Sequence, residues 1–267
     1  MMPSQQLTLD RFNQLERHDE QWHVPSFNAV NSRKDRFIFF LRRLLDFQAA
    51  SKYTDLKILL PQTSGNVLDV GCGAQPYRHL FPDHAVYQAI DHATAESDFG
   101  YKTPDTIYYS GDQWPVPDRS QNFILSTETL EHVDEPVHFL KEAERVLKPT
   151  GQIILTVPFA ARWHYIPHDY WRFTPSGLAL SLQKAGFDDI REYCRGNHLT
   201  IAAYKVLALF LTALFPAKPS FFRRLFSVAL MLMLTPILMS LSFVGHLSLR
   251  CKTADDTLGY TVIATRL

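Results

Sequence analysis

Three carboxylates are spaced around a glycine turn in a way that suits a nucleoside bearing a positive charge. The turn follows Val67-Leu68-Asp69-Val70-Gly71-Cys72-Gly73. Asp91 comes 22 residues after Asp69, and Asp112 lies further on. Val67, Leu68 and Val70 form the short apolar run of a buried strand. Gly71 and Gly73 then let backbone N–H groups approach a bound nucleotide. A dinucleotide site would want a third glycine at position 76, for helix packing beside the pyrophosphate, and Pro76 stands there instead. An acidic residue on the strand before the turn suits an ammonium group. Asp91 closes the second strand, where a carboxylate accepts ribose hydroxyls, and Asp112 follows the third, where an adenine edge would lie.

A second constellation runs from 164 to 175: His-Tyr-Ile-Pro-His-Asp-Tyr-Trp-Arg-Phe-Thr-Pro. It follows the fifth strand, and loops at the carboxyl ends of parallel strands form the crevice where ligands bind. His168 or His164 is the candidate general base for a hydroxyl acceptor. Asp169, Tyr170 and Arg172 are candidate acceptor contacts, and Trp163, Tyr170 and Trp171 offer rings that could stack on a sugar or quinone. His132, in Leu-Glu-His-Val (130–133), reads as structural, holding Glu131 or its loop. Cys72, Cys194 and Cys251 are far apart, with neither metal-ligand spacing nor a disulfide framework. No metal site is expected.

The elements that must position these groups alternate. Ser32 to Leu60 reads as one or two helices, with Arg33, Lys34, Arg36, Arg42 and Arg43 on a face open to solvent or anionic headgroups. A short helix is expected over Tyr77 to Phe81, strands over Ala85 to Ile90 and Ile107 to Tyr109, and a loop-rich stretch between those strands. Asn122 to Ser126 reads as a strand. Asp134, Glu135 and Pro136 start a helix that Pro149 and Gly151 stop. Gln152 to Val157, Asp189 to Cys194 and Thr257 to Arg266 read as strands, with a helix from Thr174-Pro175 to Ala185-Gly186. The alternation predicts a doubly wound, mostly parallel α/β sheet.

The methionine end, ribose diol and adenine together match S-adenosylmethionine. At these residues the chain resembles the class I S-adenosylmethionine-dependent methyltransferases, in the family that includes ubiquinone and menaquinone biosynthesis enzymes. The resemblance rests on Val67–Gly73, Asp91, Gly111–Asp118, Phe123 through Leu-Glu-His-Val, and Arg145-Val-Leu-Lys-Pro-Thr-Gly151. It covers residues 64 to 192 plus the last strand and implies a seven-stranded Rossmann-like fold. It places Asp69, Gly71 and Gly73 near the methionine moiety, Asp91 on the ribose and Asp112 with Gln113 at the adenine. Thr127 and Glu128 would lie near the sulfonium, and Cys72 and His92 complete the expected cofactor contacts. Gln75 replaces a third glycine that many members carry, and Asn122 stands where an Asp often precedes the fourth strand. The His-Asp-Tyr-Trp-Arg segment is similar to those of methyltransferases acting on surface polysaccharides and lipid-linked sugars.

Net charge is zero, which argues against a nucleic-acid partner. Leu225 to Leu249 holds 25 residues without an Asp, Glu, Lys or Arg, roughly 37 Å of helix against a hydrocarbon core of about 30 Å. Leu199 to Phe215 is also apolar, interrupted only by Lys205. A bilayer-spanning hairpin would put Lys218, Arg223 and Arg224 on the far side and Arg250 and Lys252 on the near side, against the positive-inside tendency. Pro216, Pro219 and Pro236 break up regular spans. Two helices in one leaflet are favoured and a hairpin stays open. The expected domains are a helical lead-in (1–60), the core (61–198), the apolar insert (199–250) and the final strand (251–267). The N-terminus lacks the regions of a secretory signal, so a membrane-associated protein with a cytoplasmic catalytic face is expected. The expected acceptor is a lipid-linked or membrane-proximal small molecule. Three readings follow: a saccharide O-methyltransferase, a quinone or prenyl-lipid methyltransferase, and a non-catalytic membrane adaptor.

Overall fold

The structure, a computed structural model, describes residues 29–100, 102–214, 221–251 and 255–267. The apolar run at Val67–Val70 lies in β1 (Asn66–Val70), near the middle of a seven-stranded sheet. The other strands are β2 (Val86–His92), β3 (Thr106–Tyr109), β4 (Gln121–Thr127), β5 (Leu147–Pro158), β6 (Phe187–Arg195) and β7 (Gly259–Arg266), in the order β3-β2-β1-β4-β5-β7-β6. Neighbours from β3 to β5 are parallel, and β7 runs antiparallel between β5 and β6. Chain order reverses between β1 and β4, and such a switch point leaves a crevice at the carboxyl ends of the strands.

Alternation along the strands divides the core in two. Ile124, Ile153 and Leu155 face a cluster with Leu140, Leu178 and Leu182. These come from α4 (Pro136–Val146) and α5 (Pro175–Ala185). Leu125 and Ile154 face the other side, against Leu56, Leu60 and Tyr77. Thr174 caps α5 by accepting from the Gly177 N–H, and Gly186 ends it at φ 98, an angle glycine adopts without steric cost.

The segment 32–60 forms two helices, α1 (Arg33–Leu45) and α2 (Phe47–Leu59). Asp46 divides them, closing the first and capping the second through the Ala49 N–H. The helix expected at Tyr77–Phe81 is one 3₁₀ turn, Arg78–Leu80, because Pro82 follows closely. The expected loop between β2 and β3 contains α3 (Ala95–Phe99), which Gly100 ends in a left-handed conformation. Glu135, not Asp134, occupies the cap position of α4.

The apolar insert forms α6 (His198–Leu214) and α7 (Phe221–Ser248), which pack together. α7 continues through Pro236, so that proline does not break the helix. Lys218, Lys252 and the side chains of Arg223 and Arg224 lie outside the described residues. Phe226–Ser248 is long and apolar enough to cross a membrane, with a mean hydropathy of 2.1. Asn197 clasps the base of the pair. Its Nδ2 donates to the Ser248 and Cys251 carbonyls, and its Oδ1 accepts from the Leu199 and Thr200 N–H groups. Phe47 fills the space beside Gly245, and Ser242 and His246 contact the Leu44 carbonyl. The insert is thus docked on the α1–α2 corner.

Candidate active site

A cavity of about 450 Å³ opens at the switch point. Gly71 and Gly73 have φ of 65 and 50, and a Cβ on Gly71 would run into Thr129. The turn is held from β2: the Gly71 N–H donates to the Ile90 carbonyl (3.0 Å) and the Gly73 N–H to Asp91 Oδ2 (2.9 Å). Asp91 Oδ1 accepts from the His92 N–H (2.8 Å). Each carboxylate oxygen has two acceptor sites, so Asp91 keeps capacity for hydroxyls in the cavity it lines. Burial raises its pKa, opposed by these two backbone donors.

Gly71, Cys72, Gly73, Asp91, Thr127, Glu128 and His164 line the cavity. The other expected contacts do not. Asp112 and Gln113 are exposed on the loop after β3, and exposed His92 turns its ring to the Thr94 hydroxyl (3.0 Å). Asp69 is buried behind the turn and accepts from the Tyr87 hydroxyl (2.7 Å). Burial pushes its pKa up to about 7, the Tyr87 bond opposing. Folded protein therefore keeps a proton that the unfolded chain releases near pH 4, and stability falls as pH rises from about 4 to 7. Across that window wild type should lose on the order of 3 kcal/mol more than Asp69→Asn. Denaturant titrations at the two ends of the window measure the difference.

The loop after β5 is built differently from its sequence reading. His168 lies outside the cavity lining. Its ring Nδ1 is 3.2 Å from the Tyr170 hydroxyl, and its carbonyl faces His132 Nδ1 at 2.6 Å. Asp169 and Arg172 do not face the cavity either. They form a two-pronged pair (2.6 and 2.7 Å) that braces the loop, and Asp169 Oδ2 also accepts from the His164 backbone (3.0 Å). Burial alone would raise the Asp169 pKa, but Arg172 and His164 hold it well below the carboxylate range. Trp163 and Tyr170 are about half exposed beside the mouth. His164 keeps its expected place. Nδ1 lies 3.0 Å from both the Arg162 carbonyl and Asp169 Oδ2, which leaves Nε2 to serve an acceptor.

Two cations that the sequence reading did not single out gather around Glu128 of the cavity wall. Arg195, fully buried at the end of β6, donates to Glu128 Oε1 and to the Val157 carbonyl, both at 2.8 Å. Lys52 Nζ lies 3.6 Å from Glu128 Oε2. Burial alone would raise the Glu128 pKa, but the two cations lower it. Lys52, a cation amid Phe47–Tyr53, was the legible hint. His132 lines the cavity, with burial lowering its pKa to about 4. Its neighbour Glu131 is wholly buried, and neither carboxylate oxygen has a hydrogen-bond partner. Burial, reinforced by Glu128, raises its pKa. Glu131, His132 and His164 bring ligand atoms within 4.8 Å of one another, a set that could hold a metal ion. They come from two loops, so no sequence spacing announced them.

Comparison with known proteins agrees with this architecture. The ubiquinone biosynthesis O-methyltransferase of Dinoroseobacter shibae is 26% identical over 178 residues, covering 54% of this chain and 68% of that protein. The enzyme of the same name from Cereibacter sphaeroides is 27% identical over 174 residues, covering 53% and 68%. A SAM-dependent methyltransferase structure from Thermotoga maritima superposes with a TM-score of 0.50 at 16% identity, covering 88% of this chain and 96% of that one, and shows the fold. The family pattern described as a methyltransferase domain matches residues 40–192, more than half of the sequence. The chain therefore belongs to the methyltransferase domain family, as a class I S-adenosylmethionine-dependent enzyme.

Proposed function

We propose that this protein binds S-adenosylmethionine against Gly71–Gly73 and Asp91 and methylates a hydroxyl on the head of a lipid-linked saccharide. The observation that carries the reading is a single cavity with a nucleoside cradle on one wall and the apolar insert on another: Gly71, Gly73 and Asp91 face Tyr204 and Ala208 of α6. The cradle fits the cofactor, since the Gly71–Gly73 backbone lines the cavity and Asp91 retains acceptor capacity. When bound, S-adenosylmethionine supplies a methyl carbon already activated by a sulfonium. The protein's share is then alignment and proton removal. His164 takes the acceptor proton at Nε2, while the Arg162 carbonyl and Asp169 Oδ2, each 3.0 Å from Nδ1, fix the ring.

His164→Ala should lower kcat about 10²- to 10⁴-fold while S-adenosylhomocysteine affinity stays unchanged. Calorimetry alongside turnover checks both, and normal turnover would remove His164 from the mechanism. Membrane association is supported by the exposed apolar α7, with the catalytic domain on the cytoplasmic side. A second reading, methylation of a quinone or other prenyl lipid, is favoured by the names of the relatives above. Labelled methyl transfer into a lipid extract tests the two. Label released into water by mild acid supports the saccharide, and label in an acid-stable, redox-active lipid supports the quinone. Absence of lipid label would overturn both.

A further inference from the structure

Glu131 stands apart from the other acidic groups around the cavity. Glu128 is met by Arg195 at 2.8 Å and Lys52 at 3.6 Å, and Asp169 by Arg172 at 2.6 Å. The Glu131 side chain is wholly buried, and neither of its oxygens has a hydrogen-bond partner. Burying a carboxyl group in that state is costly unless a further group meets it.

What faces Glu131 is imidazole. His132 Nε2 lies 3.7 Å from Glu131 Oε1, and His164 supplies a third ligand atom, all three within 4.8 Å of one another. Both rings turn a lone pair inward. His132 Nδ1 meets the His168 carbonyl at 2.6 Å, and His164 Nδ1 meets the Arg162 carbonyl at 3.0 Å. A carbonyl can only accept, so each Nδ1 carries the hydrogen and Nε2 of the neutral ring is left bare. A histidine whose far nitrogen donates to a carbonyl or carboxylate is held as a metal-ligating histidine is held. Asp169 Oδ2, also 3.0 Å from His164 Nδ1, adds the carboxylate to that support. The rings of Phe99 and Tyr165 pack on His132, with centroids 5.2 and 5.6 Å away, and fix its plane.

We propose that Glu131, His132 and His164 form a site for one divalent cation of the zinc class, with its fourth position open to the cavity that both histidines line. Two nitrogens and one oxygen suit zinc, whereas magnesium takes oxygen ligands. A tetrahedral zinc at 2.0–2.1 Å from its donors sets them about 3.3 Å apart. The Glu131–His132 separation is already close to that, and binding draws the three donors together. Glu128 stays outside the set, held by its two cations. Zinc bound here occupies the His164 lone pair that takes the acceptor proton, so the metal-loaded protein is silent in methyl transfer and removal of the metal restores it. That consequence rests on the His164 reading above, and the site itself rests on the donor geometry alone.

The test uses full-length protein without a histidine tag, in detergent, stripped of metal by a chelator. Titration with Co²⁺, whose visible absorption reports its ligands, should show one ion per chain, displaced by Zn²⁺ and not by excess Mg²⁺. Glu131→Gln and His132→Ala should each weaken Co²⁺ binding about 100-fold or more, since outer-shell partners alone are worth 10- to 100-fold. His168→Ala should leave binding unchanged, because that residue contributes only its carbonyl. Denaturant midpoints identify the folded variants, and His132→Ala carries the test if Glu131→Gln does not fold. Unchanged Co²⁺ affinity in a folded ligand variant, or displacement by Mg²⁺, would overturn the site. Labelled methyl transfer into a lipid extract should fall with Zn²⁺ and return with chelator, at a zinc concentration that His132→Ala raises as it raises the binding constant. Undiminished or faster transfer by the zinc-loaded protein would overturn the silencing and leave the site standing. If His164→Ala turns over normally, the His164 reading falls and takes the silencing with it, while the Co²⁺ titration still decides the site.

Discussion

Asp91→Ala should weaken S-adenosylhomocysteine binding by at least about 100-fold. The lost groups are two charged acceptors for a ribose diol, and a hydrogen bond to a charged group contributes about 1.5–3 kcal/mol. At 1.4 kcal/mol per tenfold, a 100-fold change is the low end of that sum. A second loss adds to it, because the Gly73 N–H donates to the same carboxylate and the turn loses its fixed conformation. Asp91→Asn keeps one acceptor oxygen and should fall between the two. Calorimetry with S-adenosylhomocysteine reads the affinities, and denaturant midpoints confirm that the variants are folded. Unchanged affinity in folded Asp91→Ala would place the ribose elsewhere.

The largest effect on stability is expected at Arg195. Its side chain is fully buried and ties β6 to Glu128 and to the Val157 carbonyl. Arg195→Met should cost about 3–5 kcal/mol, because removing one partner leaves the other charge buried and uncompensated. Lys52 supports Glu128 from α2 at 3.6 Å, so Glu128 is not wholly abandoned, which favours the lower half of that range. Glu128→Gln in the Arg195→Met background should recover part of the loss, since the stranded charge is then gone. Urea unfolding of the four proteins in detergent gives the coupling directly. Additive losses would mean that the pair does not act as one unit.

What could be read from the amino-acid order was what short-range chemistry decides. The β1 run, the Gly71–Gly73 turn, the Thr174 cap and the Gly186 stop are local, and each lies where its residues require. Asp91 was legible because a strand end and a turn fix its place relative to Gly73. In the 164–172 loop the two candidate bases could not be told apart by residue type. His168 and His164 look alike in sequence, and only the folded loop puts His164 in the cavity lining, with Asp169 beside it, and His168 against Tyr170. The Lys52–Glu128–Arg195 group joins α2, the end of β4 and β6, so its members are distant in the chain and share no motif. Pro236 was expected to break up a regular span, yet α7 runs through it. The helix on either side is long enough to absorb one missing donor.

The position of β7 has a consequence for biogenesis. The last strand of the chain does not extend the sheet at an edge but fills the slot between β5 and β6. Until residues 259–266 leave the ribosome, the nascent sheet presents two unpaired backbone edges, a hazard for strand-to-strand aggregation. Synthesis produces α6 and α7 before that closure, so the apolar pair must find its own surroundings while the catalytic domain is still open. Completion of the sheet therefore waits for a strand that follows the insert in the chain. A chain truncated by ten residues would retain the glycine turn, every carboxylate discussed here and the whole insert, and still lack the strand that makes them one protein.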